Sequence, residues 1–132
     1  MKGNKKMNRP YIFCYMMTSL DGKIMGKYME TPEGSAAGDV FYNISFGKKL
    51  FGIETLMLGG GGVLNWSFIQ AGMCDEVSVV IAAAADGSTN TPALFSAKGG
   101  FAPEMPVCFS LQSAEVRNGG SVWLRYLVKE KE

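Results

Sequence analysis

The residues best suited to chemistry fall in two short stretches. Gly59-Gly60-Gly61-Gly62-Val63-Leu64-Asn65 follows the apolar run Ile53 to Leu58 and opens a helical pattern. At such a junction, unhindered backbone N–H groups and the positive end of a helix converge where a phosphate could lie. The spacing matches neither G-x-G-x-x-G nor G-x-x-x-x-G-K-[ST], which excludes the ordinary dinucleotide fingerprint and the ATPase P-loop. A glycine run in this place also reads as a mere tight turn. The second stretch, Thr18-Ser19-Leu20-Asp21-Gly22-Lys23, closes the apolar run of residues 11 to 19. Ligands of open α/β sheets gather at the carboxyl ends of parallel strands, so these polar side chains are placed to meet cofactor or substrate. The bland alternative is that Asp21-Gly22 is only a turn and Lys23 only faces solvent.

Both stretches need elements to hold them. The run from Tyr11 reads as a strand buried on both faces. Residues 23 to 35 contain Gly26, Pro32 and Gly34, and read as an irregular connection with a short strand around Ile24. Ser35 then caps a helix over Ala36 to Phe46, where Val40, Phe41 and Ile44 recur at helical spacing, and Lys48 to Gly52 could add one more turn. Ile53 to Leu58 is a strand, Val63 to Ala71 a helix stopped by Gly72, and Val77 to Ala82 a further strand, which together make a βαβ unit. Residues 83 to 106, rich in Ala, Gly, Thr and Pro, read as a long loop anchored by Leu94-Phe95. Val107 to Val116 and Ser121 to Lys129 flank Asn118-Gly119-Gly120 and form a hairpin, because asparagine and glycine tolerate positive φ.

Composition narrows the chemistry further. At 132 residues, with 47% hydrophobic and 19% charged residues, the chain is long enough for one core and too apolar for disorder. A net charge of +1 supplies no global field for nucleic acid or an anionic membrane, so any anion site is local. With no histidine, a His-based triad and most catalytic zinc sites are excluded, and no metal is expected. Cys14, Cys74 and Cys108 lack CxxC spacing and fit buried thiols in a reducing compartment. Lys2, Lys5 and Lys6 before the run Tyr11 to Met17 superficially copy a signal peptide. That run is short, begins after Pro10 and lacks a small-residue cleavage site, so a buried strand is the better reading.

Taken in order, Thr18-Ser19-Leu20-Asp21-Gly22-Lys23-Ile24 and Gly60-Gly61-Gly62-Val63-Leu64-Asn65 before Asp75-Glu76-Val77-Ser78 resemble the riboflavin-biosynthesis reductase domain, the RibD C-terminal family. Asp86-Gly87-Ser88, Thr91-Pro92-Ala93-Leu94-Phe95 and Val122-Trp123-Leu124-Arg125-Tyr126 resemble its closing segments. The resemblance implies a dihydrofolate-reductase-like α/β fold with a mostly parallel central sheet and a C-terminal antiparallel hairpin. It implies a cytoplasmic homodimer that uses NADPH to reduce the ribosylamino group of a pyrimidine ribosyl phosphate to ribitylamino. Carried over by position, Gly60, Gly61, Gly62, Val63, Leu64 and Asn65 contact the cofactor, Thr18, Ser19 and Lys23 contact the substrate, and Asp21 is the catalytic group. The chain departs from the family at Gly59, where a glutamate is common, and in its middle. Only Ser45 to Leu50 separates the first helix from the glycine-loop strand, as though residues 1–132 were one domain lacking its central portion between about 46 and 48. A truncated sheet follows, and with it a second reading: a non-catalytic remnant that binds a nucleotide or phosphate, or serves as an oligomerising domain.

Overall fold

The computed structural model describes residues 11–47, 55–58, 61–96 and 105–129. Five strands form one sheet: β1 (Tyr11–Thr18), β2 (Thr55–Leu58), β3 (Glu76–Ile81), β4 (Phe109–Val116) and β5 (Val122–Val128), in the order β2-β1-β3-β5-β4. β1 lies parallel to both β2 and β3, whereas β5 runs antiparallel to β3 and pairs with β4 as a hairpin. The expected α/β fold is therefore present as a mixed sheet, with β2, β1 and β3 parallel on one side and the C-terminal antiparallel hairpin on the other. In the β2-α-β3 unit the two strands are not neighbours; β1 lies between them.

β1 lies inside the sheet, between β2 and β3, as its apolar residues on both faces require, and alternation sorts its side chains into two cores. Phe13, Tyr15 and Met17 pack with Val80, Trp123 and the helix α1 (Pro32–Gly47) through Ala37, Val40 and Ile44. Ile12 and Cys14 turn the other way and pack with Cys74, Val77 and Ile69 of the helix α2 (Gly62–Gln70). The Tyr15 ring stacks on Phe41 with centroids 4.4 Å apart, and its hydroxyl donates to the Phe41 carbonyl at 2.6 Å. Burial pushes the Cys14 thiol up to about 12, so it behaves as a small apolar side chain.

α1 begins four residues earlier than the composition suggests. Thr31, not Ser35, caps it: the Thr31 hydroxyl accepts the Gly34 N–H at 2.9 Å, and Ser35 already donates to the Thr31 carbonyl at 2.9 Å. Pro32 fits the first helical position, where its missing N–H has no intrahelical partner to lose. A Cβ on Gly34 would lie 2.0 Å from the Tyr28 carbonyl oxygen, so glycine lets the preceding 3₁₀ turn (Lys27–Glu30) pack close. Around Ile24 there is a single bridge, Lys23 to Ala93, in place of a short strand. The extra helical turn expected over 48–52 and the first residues of the strand at 53–54 lie outside the described residues.

α2 ends as expected, with Gly72 in the left-handed region at φ 72°. In the hairpin turn the positive φ angles fall on Gly119 and Gly120. The acidic pair before β3 does more than lead into the strand. Asp75 accepts the Ile12 N–H at 2.9 Å and pins the start of β1. Glu76, also buried, receives the Tyr11 hydroxyl at 2.8 Å and the Arg125 guanidinium at 2.8 Å. The Trp123 indole N–H donates to the Ser78 hydroxyl at 2.7 Å, satisfying two polar groups inside the α1-side core.

Ile69, 1% exposed, is the apolar anchor of α2. Ile69→Ala should lower stability by about 2–5 kcal/mol, read as a fall in urea midpoint at unchanged slope. Leu20→Ala, at a position 67% exposed, should change it by no more than about 0.5 kcal/mol.

Candidate functional site

The loops after β1 and β3 and the start of α2 meet at the carboxyl ends of the three parallel strands. Thr18 ends β1, and its carbonyl accepts the Ala82 N–H at 2.8 Å, so the chain leaves β1 and β3 side by side. The next four residues turn sharply. Gly22 takes φ 79°, donates to the Ser19 carbonyl at 3.0 Å, and Ser19 in turn donates to the Lys23 carbonyl at 3.0 Å. Asp21 is thus part of a turn, but its carboxylate reaches across to the loop after β3. One oxygen accepts the Asp86 N–H at 2.9 Å and the other the Gly87 N–H at 2.9 Å. The Ser19 hydroxyl also donates to Asp21 and accepts the Lys23 N–H at 3.0 Å.

Lys23 does not simply face solvent. Its ammonium donates to the Ser88 carbonyl at 2.6 Å and to the Thr91 carbonyl at 3.4 Å. Its backbone neighbours complete the seam, with Ile24 donating to Pro92 and Leu94 to Gly22, each at 2.9 Å. Asp86 closes the arrangement from within its own loop: it accepts the Thr91 hydroxyl at 2.8 Å and the Tyr28 N–H at 3.2 Å. Hydrogen bonds to the charged form hold both carboxyls below the usual range, chiefly the Asp86 N–H for Asp21 and the Thr91 hydroxyl for Asp86.

The glycine loop presents a different surface. Gly61 is the N-cap of α2 and is exposed; no side chain caps the helix there, and its first turn carries no acidic residue. An α-helix leaves its first N–H groups without intrahelical acceptors, so this end retains donors and positive potential suited to an anion. A Cβ on Gly61 would meet nothing within 4 Å, whereas one on Gly62 would lie 2.4 Å from the Ala93 carbonyl oxygen. Gly62 is therefore a glycine because the loop after β3 passes over it, and Ser96 donates to its carbonyl at 3.1 Å. Gly59 and Gly60 lie outside the described residues.

The two stretches are joined through one residue. Leu94 donates its N–H to Gly22, and its carbonyl accepts the Asn65 side-chain amide at 3.1 Å. Asn65 is fully buried, as are Thr18 at 3% and Ser19 at 1% exposure, so these side chains line the framework and not an open wall. Asp21 is exposed, Lys23 and Val63 are half-buried, and Leu64 is 46% exposed. The connecting role of residues 84–96 is the part that motif reading misses. Its only trace in the sequence is the pair Asp86-Gly87 and the run Thr91 to Phe95.

The arrangement defines an α/β domain whose candidate-site loops stand at the carboxyl ends of parallel strands. Residues 48–124, more than half of the chain, match the RibD C-terminal domain, and the chain belongs to that family. The Thr18 to Lys23 stretch precedes the matched residues and is placed in the same architecture by structural likeness. RibD of Acinetobacter baumannii superposes with TM-score 0.58 at 15% identity over 92% of this chain and 58% of that one. A Shewanella sp. PV-4 protein assigned to riboflavin biosynthesis gives 0.57 at 14% identity, over 91% of this chain and 99% of that one. A pyrimidine reductase-like protein of Corynebacterium diphtheriae gives 0.51 at 17% identity, over 70% and 35%. The chain spans little more than half of the Acinetobacter protein. At these identities the likeness is one of fold, and it is the dihydrofolate-reductase-like fold.

Two outcomes test the geometry. Because the Asp21 carboxyl is depressed in the folded chain, its contribution is complete above the ordinary carboxylate pKa of about 4 and is lost as pH falls below it. Asp21→Asn should therefore melt below the parent at neutral pH, with the gap narrowing in acid; a pH-independent gap would contradict the latch. Gly62→Ala should lower the melting temperature by forcing the 93–96 backbone outward, while Gly61→Ala should leave it unchanged.

Proposed function

We propose that the chain is one RibD C-terminal-type domain, shortened between about residues 46 and 48, that acts as an NADPH-dependent reductase of riboflavin biosynthesis. Its substrate is a pyrimidine ribosyl phosphate, whose ribosylamino group becomes ribitylamino. The observation that carries this reading is Leu94, bonded at once to Gly22 and Asn65, because it sets an anion-binding helix end beside the loop after β1 in a member of this family. Hydride transfer depends on holding donor and acceptor in register more than on a strong protein acid, which suits a chain without histidine.

The open Gly61 and the uncapped first turn of α2 fit a diphosphate. Gly60, Gly61, Gly62, Val63 and Leu64 would hold it through backbone N–H groups, and NADPH, when bound, supplies the hydride. On the other side, Thr18, Ser19 and Lys23 build the floor of the substrate loop. Asp21 orients that loop: its carboxylate is held ionised and has no proton to donate, so the proton the reduction consumes comes from water. The protein works as a homodimer in the cytoplasm on this reading. Among the described residues no helix is long and apolar enough to cross a membrane, and Leu111 and Val116 of the hairpin are exposed.

NADPH titration monitored by energy transfer from Trp66 and Trp123, followed by turnover of the ribosylamino-pyrimidine phosphate, tests the proposal. Saturable transfer, a raised melting temperature and substrate-dependent loss of nicotinamide absorbance are expected. Binding without turnover would select the non-catalytic remnant, and no binding of NADPH at all would remove the reductase reading.

A further inference from the structure

The bonds of segment 84–96 are unevenly shared. Toward the loop after β1, Ala84 accepts from Leu20, Asp86 and Gly87 donate to Asp21, Ser88 and Thr91 accept from Lys23, Pro92 accepts from Ile24 and Leu94 donates to Gly22. Toward α2 there are two described bonds, from Asn65 to the Leu94 carbonyl and from Ser96 to the Gly62 carbonyl. The loops after β1 and β3 are therefore hydrogen-bonded into one body; α2 packs on it through the Trp66–Phe95 ring contact, with centroids 5.9 Å apart, and Asn65 is the α2 side chain described as hydrogen-bonded to it. Asn65 is 0% exposed, and its Oδ1 is buried with no hydrogen-bond partner among the described residues. An apolar side chain of that size would bury no unsatisfied oxygen, so what the amide contributes there is the Nδ2 bond.

We propose that Asn65 is a positioning residue that sets the loop body against the first turn of α2 without touching either ligand. The proposal rests on the reductase reading, in which the loop body carries the acceptor and the helix end the diphosphate. Reacting atoms must approach to about 3–3.5 Å, and a displacement of about 1 Å can cost about 100-fold in rate. Loss of the Asn65 bond removes the directional link and leaves the apolar packing of Leu94 and Phe95 against α2, which resists a small slide less well, while each binding surface stays intact.

Asn65→Leu, which keeps the branched four-atom outline at a larger volume, and Asn65→Ala test it through kcat, NADPH affinity and amide hydrogen exchange. In the leucine variant kcat should fall by about 10–100-fold, while the NADPH Kd stays within about threefold. Exchange should quicken at Ser96 and remain slow at Asp86, Gly87 and Leu94. An unchanged kcat, an NADPH Kd that weakens in proportion to kcat, or joint opening of the Asp86 and Gly87 amides would overturn the proposal. If the parent protein turns nothing over, the reductase reading fails by itself, and the exchange pattern still decides whether Asn65 joins the two bodies.

Discussion

Segment 84–96 runs without regular structure across the carboxyl ends of three parallel strands, and its backbone groups must still find partners. Ala84, Pro92, Leu94 and Ser96 find them in backbone groups of other elements, and side chains supply more: the Asp21 carboxylate for two N–H groups, the Lys23 ammonium for two carbonyls, and the Asn65 amide for a third. Each of these polar residues thereby becomes part of the framework. A carboxylate facing two N–H dipoles and a hydroxyl loses the capacity to shuttle a proton but gains a fixed position, and that position fixes the Gly22 turn. The shape of the candidate site follows from this exchange between an irregular loop and three side chains of other elements.

The exchange works only because the sheet beneath it is rigid. β1 supplies side chains to both cores, so it cannot shift without disturbing α1 and α2 together. At the opposite end of the sheet, Asp75 holds the first residues of β1, and Glu76 collects Tyr11 and Arg125. Glu76 is the buried member of this set, so removing Tyr11 or Arg125 would leave its carboxylate short of partners. β1 and β3 thus carry both the functional end and the anchored end.

Legibility in the sequence followed the range of the interactions. β1 could be read from its apolar run, α2 from the glycine at its end, and the hairpin from Asn118-Gly119-Gly120, because each is determined within a few residues. The start of α1 lies earlier than composition places it because Pro32 and Gly34 are breakers in isolation; only the Thr31 cap and the Tyr28 carbonyl beside Gly34 show that they suit a helix start. Asp75 and Glu76 look like surface acids until the partners on β1 and β5 are in place. The Asp21 bonds to Asp86 and Gly87 span 65 and 66 residues, a separation no local pattern reports. Family resemblance makes Asp21 the catalytic group, Lys23 a substrate contact and Asn65 a cofactor contact, and says nothing of the loop bonds each of them makes.

The charges that result are arranged, not merely present. Asp21 and Asp86 stay ionised within one loop body, and Lys23 is met there by carbonyl oxygens. The first turn of α2 carries no acidic residue and keeps the positive end of its helix uncovered by a capping side chain. An anion near the site therefore gains at the helix end and is repelled by the aspartate pair, although the chain as a whole carries only +1. A ligand with a phosphorylated end and a less charged ring end would be oriented by that gradient before any specific contact formed. The local field thus favours the same direction across the site that the Leu94 connection imposes by geometry.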